Sequence, residues 1–132
     1  MAKTRELFER GLAVRKEVLG SAHVDAALQN AGAFGEDFQT FLTETAWGSL
    51  WARPGLDRKT RSMLTIAILA AFGHHEELRL HIRSTPRTGV SRDEVKEVLL
   101  QVAVYAGIPA ANSAFQDAQA AFRQLDGEEK RP

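Results

Sequence analysis

Gly73-His74-His75-Glu76-Glu77-Leu78-Arg79-Leu80-His81-Ile82-Arg83-Ser84 follows directly on the most apolar run of the chain, Met63 to Phe72. That run is too short to cross a bilayer, so it reads as a buried helix with charge crowded against its end. The segment after it holds three of the four histidines. At about 100° per residue, with Glu77 at zero, His81 falls near 40°, His74 near 60° and Ser84 near 340°. These four share one face. Leu78 and Ile82 flank it on one side and Leu80 on the other, so the face is expected to turn toward protein. Arg79, Arg83 and Glu76 fall between roughly 200° and 260°. They can pair at i, i+3 and i, i+4 spacing and read as a solvated face. His75 lies well off the Glu77 face, and His23, near another helix start, reads as capping or surface.

Nearly every other segment also reads as helix. Asp57 can cap 58–72, whose second half is apolar on all sides, which suits the centre of a fold or a subunit interface. Pro86 and Gly89 end the focal helix after about Ser84. Ser91 and Glu94 form a capping box, with Val90 stapling onto Val95, and this helix runs to Gly107. Pro109 opens the last helix, whose inner face is Ala111, Ala114, Phe115, Ala118, Phe122 and Leu125. Asp126 to Pro132 reads as a charged, frayed tail. Nearer the N-terminus, Leu7, Phe8, Leu12, Val14, Val18 and Leu19 recur at helical spacing until Gly20, and Ser21 can cap a short helix through Leu28. Phe34, Phe38, Phe41, Leu42, Thr45, Ala46 and Ser49 share one apolar face of 33–50 and read as core. Trp47 and Trp51, one turn apart, read as packing, and Arg53-Pro54-Gly55 as a turn. The expectation is an all-α single domain over 1–132 with about six to seven helices.

Composition narrows the function. The 132 residues carry 17 basic and 17 acidic side chains, which gives no reason to expect nucleic acid or an anionic membrane as a partner. The absence of Cys excludes disulfides, thiolate metal sites and cysteine nucleophiles. The first residues are charged where a signal peptide would be apolar, so the expected location is the cytoplasm. No Gly-rich phosphate loop, Gly-x-Ser-x-Gly elbow or His/Cys zinc framework occurs.

Glu77 and His81 are the candidate acid–base pair. In a partly desolvated cleft the carboxylate favours the charged imidazole while burial disfavours it, and that competition can set a proton donor near neutrality. The same pair can instead hydrogen-bond across one turn without chemistry. His74, Glu77 and His81 could also present three metal ligands, although Arg79 breaks the His-Glu-x-x-His pattern. Arg53, Arg58 and Arg61, around a turn and a helix start, could clamp carboxylates bidentately or be solvated.

Four stretches together resemble a known family: Leu56-Asp57-Arg58-Lys59-Thr60-Arg61-Ser62, Gly73 to His81, Thr88-Gly89-Val90-Ser91-Arg92-Asp93-Glu94-Val95 and Tyr105-Ala106-Gly107-Ile108-Pro109-Ala110-Ala111-Asn112. They are similar to the carboxymuconolactone decarboxylase family of the alkylhydroperoxidase-D-like superfamily, and the likeness runs from about Phe8 to Phe122. Ala46-Trp47-Gly48 to Arg53-Pro54-Gly55 narrows it to members serving protocatechuate breakdown in the beta-ketoadipate pathway. Peroxidase relatives carry Cys-x-x-Cys and a downstream His on the corresponding helix. Here His81 matches the His, and His74 and Glu77 stand at the cysteine positions.

The resemblance implies an all-helical homo-oligomer, a trimer or hexamer, that decarboxylates a small lactone dicarboxylate with no cofactor and no metal. Glu77 and His81 would be catalytic, and His74, Ser84, Arg53 and Arg61 would bind substrate. Two alternatives stand beside it: a non-catalytic oligomerisation module, and a metal-dependent lyase or hydrolase built on His74, Glu77 and His81.

Overall fold

The structure, a computed structural model, describes residues 2–129, with side chains for 5–128. It packs as two compact units that divide between Asp57 and Arg58. The first contains α1 (Ala2–Leu19), α2 (Ser21–Asn30), α3 (Gly32–Leu42) and a π-helical segment, Thr43–Trp51. On α1, Gly11, Val14, Arg15, Val18 and Leu19 are buried, the i, i+3, i+4, i+7 stripe of an amphipathic helix. This stripe meets the π-helix almost backbone to backbone. A Cβ at Gly11 would overlap Thr43 O, and one at Gly48 would stand 2.6 Å from Leu7 O. The Ala52 amide donates to Trp47 O at 3.0 Å, the five-residue spacing of a π turn. Trp47 and Trp51 are buried and stacked, with centroids 5.0 Å apart.

The glycine contact decides which side of this element is covered. Thr43, Trp47, Gly48 and Trp51 face inward, while Phe34, Phe38 and Phe41 are exposed. The phenylalanine stripe expected as core is therefore on the surface of the chain. Arg15 is 4 % exposed and donates through Nη1 to Gln39 Oε1 at 2.9 Å and Thr43 Oγ1 at 3.2 Å. Burial pushes its guanidinium below the ordinary value. The cap of α2 also differs from expectation: Gly20, at φ +90°, holds the cap position and Ser21 is the first helical residue.

The second unit is α4 (Arg58–Phe72), α5 (His75–Arg83), the single turn α6 (Thr85–Thr88), α7 (Arg92–Tyr105) and α8 (Ile108–Glu129). Among the described residues there is no strand, and no helix is long and apolar enough to cross a membrane. One core joins Ile66 and Ala70 of α4, Leu78 and Ile82 of α5, Val95, Val98, Leu99 and Val102 of α7, and Ala114, Ala118 and Ala121 of α8. The small side chains of α8 let its neighbours approach closely. The Ser91/Glu94 capping box forms, with Glu94 N–H to Ser91 Oγ at 3.0 Å and Ser91 N–H to Glu94 Oε1 at 2.9 Å. Helix α8 continues to Glu129, past the expected fraying point at Asp126; residues 130–132 lie outside the described residues. Helix α4 buries one side only, leaving Leu64, Ile68 and Phe72 exposed.

Gly48→Ala would push a methyl into the Leu7 carbonyl, a backbone atom that cannot swing aside. A loss of about 3 kcal/mol of unfolding free energy is expected. Gly55→Ala, which meets nothing within 4 Å, should stay within about 0.5 kcal/mol of the parent; chemical denaturation of both checks the pair.

Candidate active site

The candidate face depends on how α4 hands over to α5. Gly73, at φ +72°, supplies a left-handed turn that an L side chain resists. Its amide donates to Ala70 O at 3.3 Å, and that of His74 to Leu69 O at 3.0 Å. The chain then re-enters helix at His75 with no side-chain cap, and α5 packs back on α4 through Leu78 and Ile82, both fully buried. Complete burial of such side chains contributes roughly 1.5–3 kcal/mol each, a large share of what holds a nine-residue helix.

Glu77 and His81 lie one turn apart in the unbroken helix, with Glu77 exposed and His81 half-buried. His74, just ahead of α5, is exposed, its ring 6.0 Å from that of Phe72. The face expected to turn toward protein is thus open over its first turn and covered only toward its end. Ser84 is 1 % exposed and donates its hydroxyl to Leu80 O at 2.8 Å. That bond commits the Ser84 hydroxyl proton to the backbone of its own helix. Among the described residues no three His, Asp or Glu side chains converge as a metal site would require, so His74, Glu77 and His81 do not form a ligand set here.

The two arginines part company. Arg53 is exposed in the first unit, on the turn after the π-helix, its amide donating to Leu50 O at 3.0 Å. Arg61 lies in the first turns of α4 and is 8 % exposed. Its Nε is buried without a hydrogen-bond partner, and no ion pair reaches it among the described residues. The neighbouring Ser62 Oγ accepts from Thr88 Oγ1 at 3.0 Å, tying the start of α4 to α6. A buried guanidinium with no anion is costly, and an orphaned buried group calls for an explanation.

The groups missed from the sequence are on the opposite side of α5. Asp117 of α8 is 6 % exposed; its Oδ2 meets His75 Nδ1 at 2.7 Å and its Oδ1 accepts from Arg79 Nη1 at 2.8 Å. Arg79 is therefore not merely solvated. The available signal was Asp117 itself, an acid three residues from Ala114 and four from Ala121 on the small-residue face of α8.

A model of the carboxymuconolactone decarboxylase family matches residues 36–120. The chain belongs to this family. It is 48 % identical over 118 residues to a 4-carboxymuconolactone decarboxylase of Acinetobacter baylyi, covering 89 % of this chain and 88 % of that protein. It is 44 % identical over 130 residues to a nitrosuccinic acid decarboxylase of Metarhizium robertsii, covering 97 % and 91 %. An uncharacterized 15.0 kDa protein of Paracoccus denitrificans matches at 33 % over 89 residues. The carboxymuconolactone decarboxylase match crosses the division at Asp57 and takes in Arg61, α5 and Asp117.

Replacing a buried, unpaired ion with an apolar side chain of similar reach is often neutral or stabilising by about 1–4 kcal/mol. Arg61→Met is therefore expected to leave the melting temperature unchanged or raise it, which a thermal unfolding scan reads directly.

Proposed function

We propose that this protein is a cofactor-independent decarboxylase of 4-carboxymuconolactone, acting in aromatic catabolism. The likeness to the Acinetobacter enzyme over nearly the whole chain carries this reading, and the unpaired Arg61 guanidinium supports it from within the structure. The substrate is a five-membered unsaturated lactone with a carboxylate and an acetate arm on one ring carbon. When the C–CO2⁻ bond breaks, its electron pair passes through the ring alkene into the lactone carbonyl and leaves an oxyfuran-like dienolate. One proton then returns to the ring carbon next to the carbonyl, so the balance is a carboxylate and a proton giving CO2 and a C–H bond. The substrate is its own electron sink.

The protein's tasks are to hold a dianion, steady the enolate oxygen and deliver the proton. We assign the proton to His81, which is half-buried, and its tuning and orientation to the more open Glu77. In the reverse assignment Glu77 is the acid. Arg61 anchors a carboxylate, and His74 and Arg53 are the further candidates for binding charge. A second copy of the chain is assigned to cover the open face. Phe34, Phe38 and Phe41 of the first unit, and Leu64, Ile68, Phe72, Val104, Tyr105 and Ile108 of the second, are exposed, far more apolar surface than isolated side chains would explain. A trimer or hexamer in the cytoplasm is the form we expect, with residues 1–132 acting as one functional domain.

The Metarhizium relative gives a specific reason for a second substrate class. Nitrosuccinic acid and the lactone both contain a succinate unit whose departing carboxylate sits on the carbon bearing the electron sink, nitro in one and the unsaturated lactone in the other. A site that grips the retained acetate arm and steadies the charge on the sink's oxygen would serve both, with the proton going to the ring carbon next to the carbonyl in the lactone and to the carbon that lost CO2 in the nitro acid.

Direct assay of CO2 release from each diacid ranks the two substrates. Folded His81→Ala and Glu77→Gln are each expected to lose at least 100-fold in kcat, in line with removal of a positioned acid–base group. Arg61→Met should raise KM at least tenfold while remaining folded. Near-parental decarboxylation by both His81→Ala and Glu77→Gln would remove α5 from the chemistry.

A further inference from the structure

We infer that Asp117 is a positioning residue that sets the rotation of α5, and with it the direction in which Glu77 and His81 point. The catalytic consequence rests on the decarboxylase reading above; the geometry does not. Asp117 offers one oxygen to each of two donors on consecutive turns of α5, His75 Nδ1 at 2.7 Å and Arg79 Nη1 at 2.8 Å. With Glu77 at zero on the helical wheel and His81 near 40°, His75 falls near 160° and Arg79 near 200°. The clamp grips the side of the helix diametrically opposite the acid–base face.

The helix by itself fixes that angle weakly. The helix has nine residues and no side-chain cap, short of what stands alone in water. It enters through Gly73, the residue type that resists rotation least. Its fully buried side chains, Leu78 and Ile82, lie near 100° and 140°, so packing holds one flank and leaves rotation about the axis weakly opposed. The carboxylate closes that freedom. It is buried on the small-residue face of α8, among Ala111, Ala114, Ala118 and Ala121, and bonds to an ionised carboxylate are the strong kind. With its Nδ1 bonded to Asp117, that ring is held toward α8 on the back of the helix, away from the Glu77/His81 face.

The alternative is an ion pair that only adds stability, and the two differ in kinetics. Small misplacement of a reacting group costs up to about 100-fold in rate without loss of substrate affinity. Asp117→Ala, assayed where circular dichroism shows it folded, should lose 10- to 100-fold in kcat with KM within threefold. Asp117→Asn can still accept from Arg79 and bond the other His75 tautomer, so it should recover most of that loss. Asp126→Ala, which cuts an exposed contact from the same helix as Asp117 to Arg92 of α7, should match the parent. Should Asp117→Ala fail to fold, His75→Ala, which leaves Asp117 paired with Arg79, carries the same test.

Amide hydrogen exchange reads the clamp independently of activity. Leu78 to Ile82 should exchange at least tenfold faster in Asp117→Ala, or in His75→Ala where that stands in for it, with Val98 to Val102 of α7 unchanged. Parental kcat per folded molecule, an Asn variant as impaired as Ala, or unchanged α5 exchange would overturn the assignment. If the parent protein releases no CO2 from either diacid, the decarboxylase reading fails, and the exchange result still decides whether Asp117 holds α5.

Discussion

A nine-residue helix with two fully buried side chains is a weakly determined object, and the candidate chemistry rests on one. Leu78 and Ile82 anchor α5 against Ile66 and Ala70, Gly73 turns the chain through a left-handed conformation to bring it there, and Asp117 grips it from α8. Each of these limits a different freedom: the apolar pair sets which flank is inward, the glycine sets where the helix begins, and the carboxylate sets its rotation. The direction of Glu77 and His81 follows from all three.

Charge is distributed in a way that suits an anionic ligand. Acidic and basic residues balance over the chain, so no global field attracts a dianion and local groups must do so. Arg61 is buried and its Nε is unpartnered, an arrangement whose cost an arriving carboxylate would offset. Arg79, by contrast, is spent on Asp117. The same residue type is paired with a carboxylate in one place and left without one in another.

The all-helical class, the capping box at Ser91 and Glu94, the stacked Trp47/Trp51 pair and the continuity of Glu77 with His81 were readable from residue spacing, because each depends on contacts within one or two turns. The exposed phenylalanine stripe was not. Periodicity identified an apolar face, but the Gly11–Gly48 backbone approach covers the other side of that element, and a long-range glycine contact leaves no periodic trace. The wheel likewise placed Arg79 away from Glu77 and His81 but took its side as solvent, since its partner is 38 residues away. Ser84 falls on the Glu77 face by angle, yet its hydroxyl closes back on Leu80, a local bond that competes with any ligand.

The central claim is that the protein itself, through α5, returns a proton to the decarboxylated carbon skeleton. Turnover of the lactone in D2O, with the product examined at once by NMR, tests it most directly. A single deuteron is expected on one face of the ring carbon next to the lactone carbonyl, formed in step with CO2 release. Equal labelling of both faces during enzymatic turnover would mean that the dienolate is protonated by solvent after it leaves, and would contradict the role assigned to Glu77 and His81.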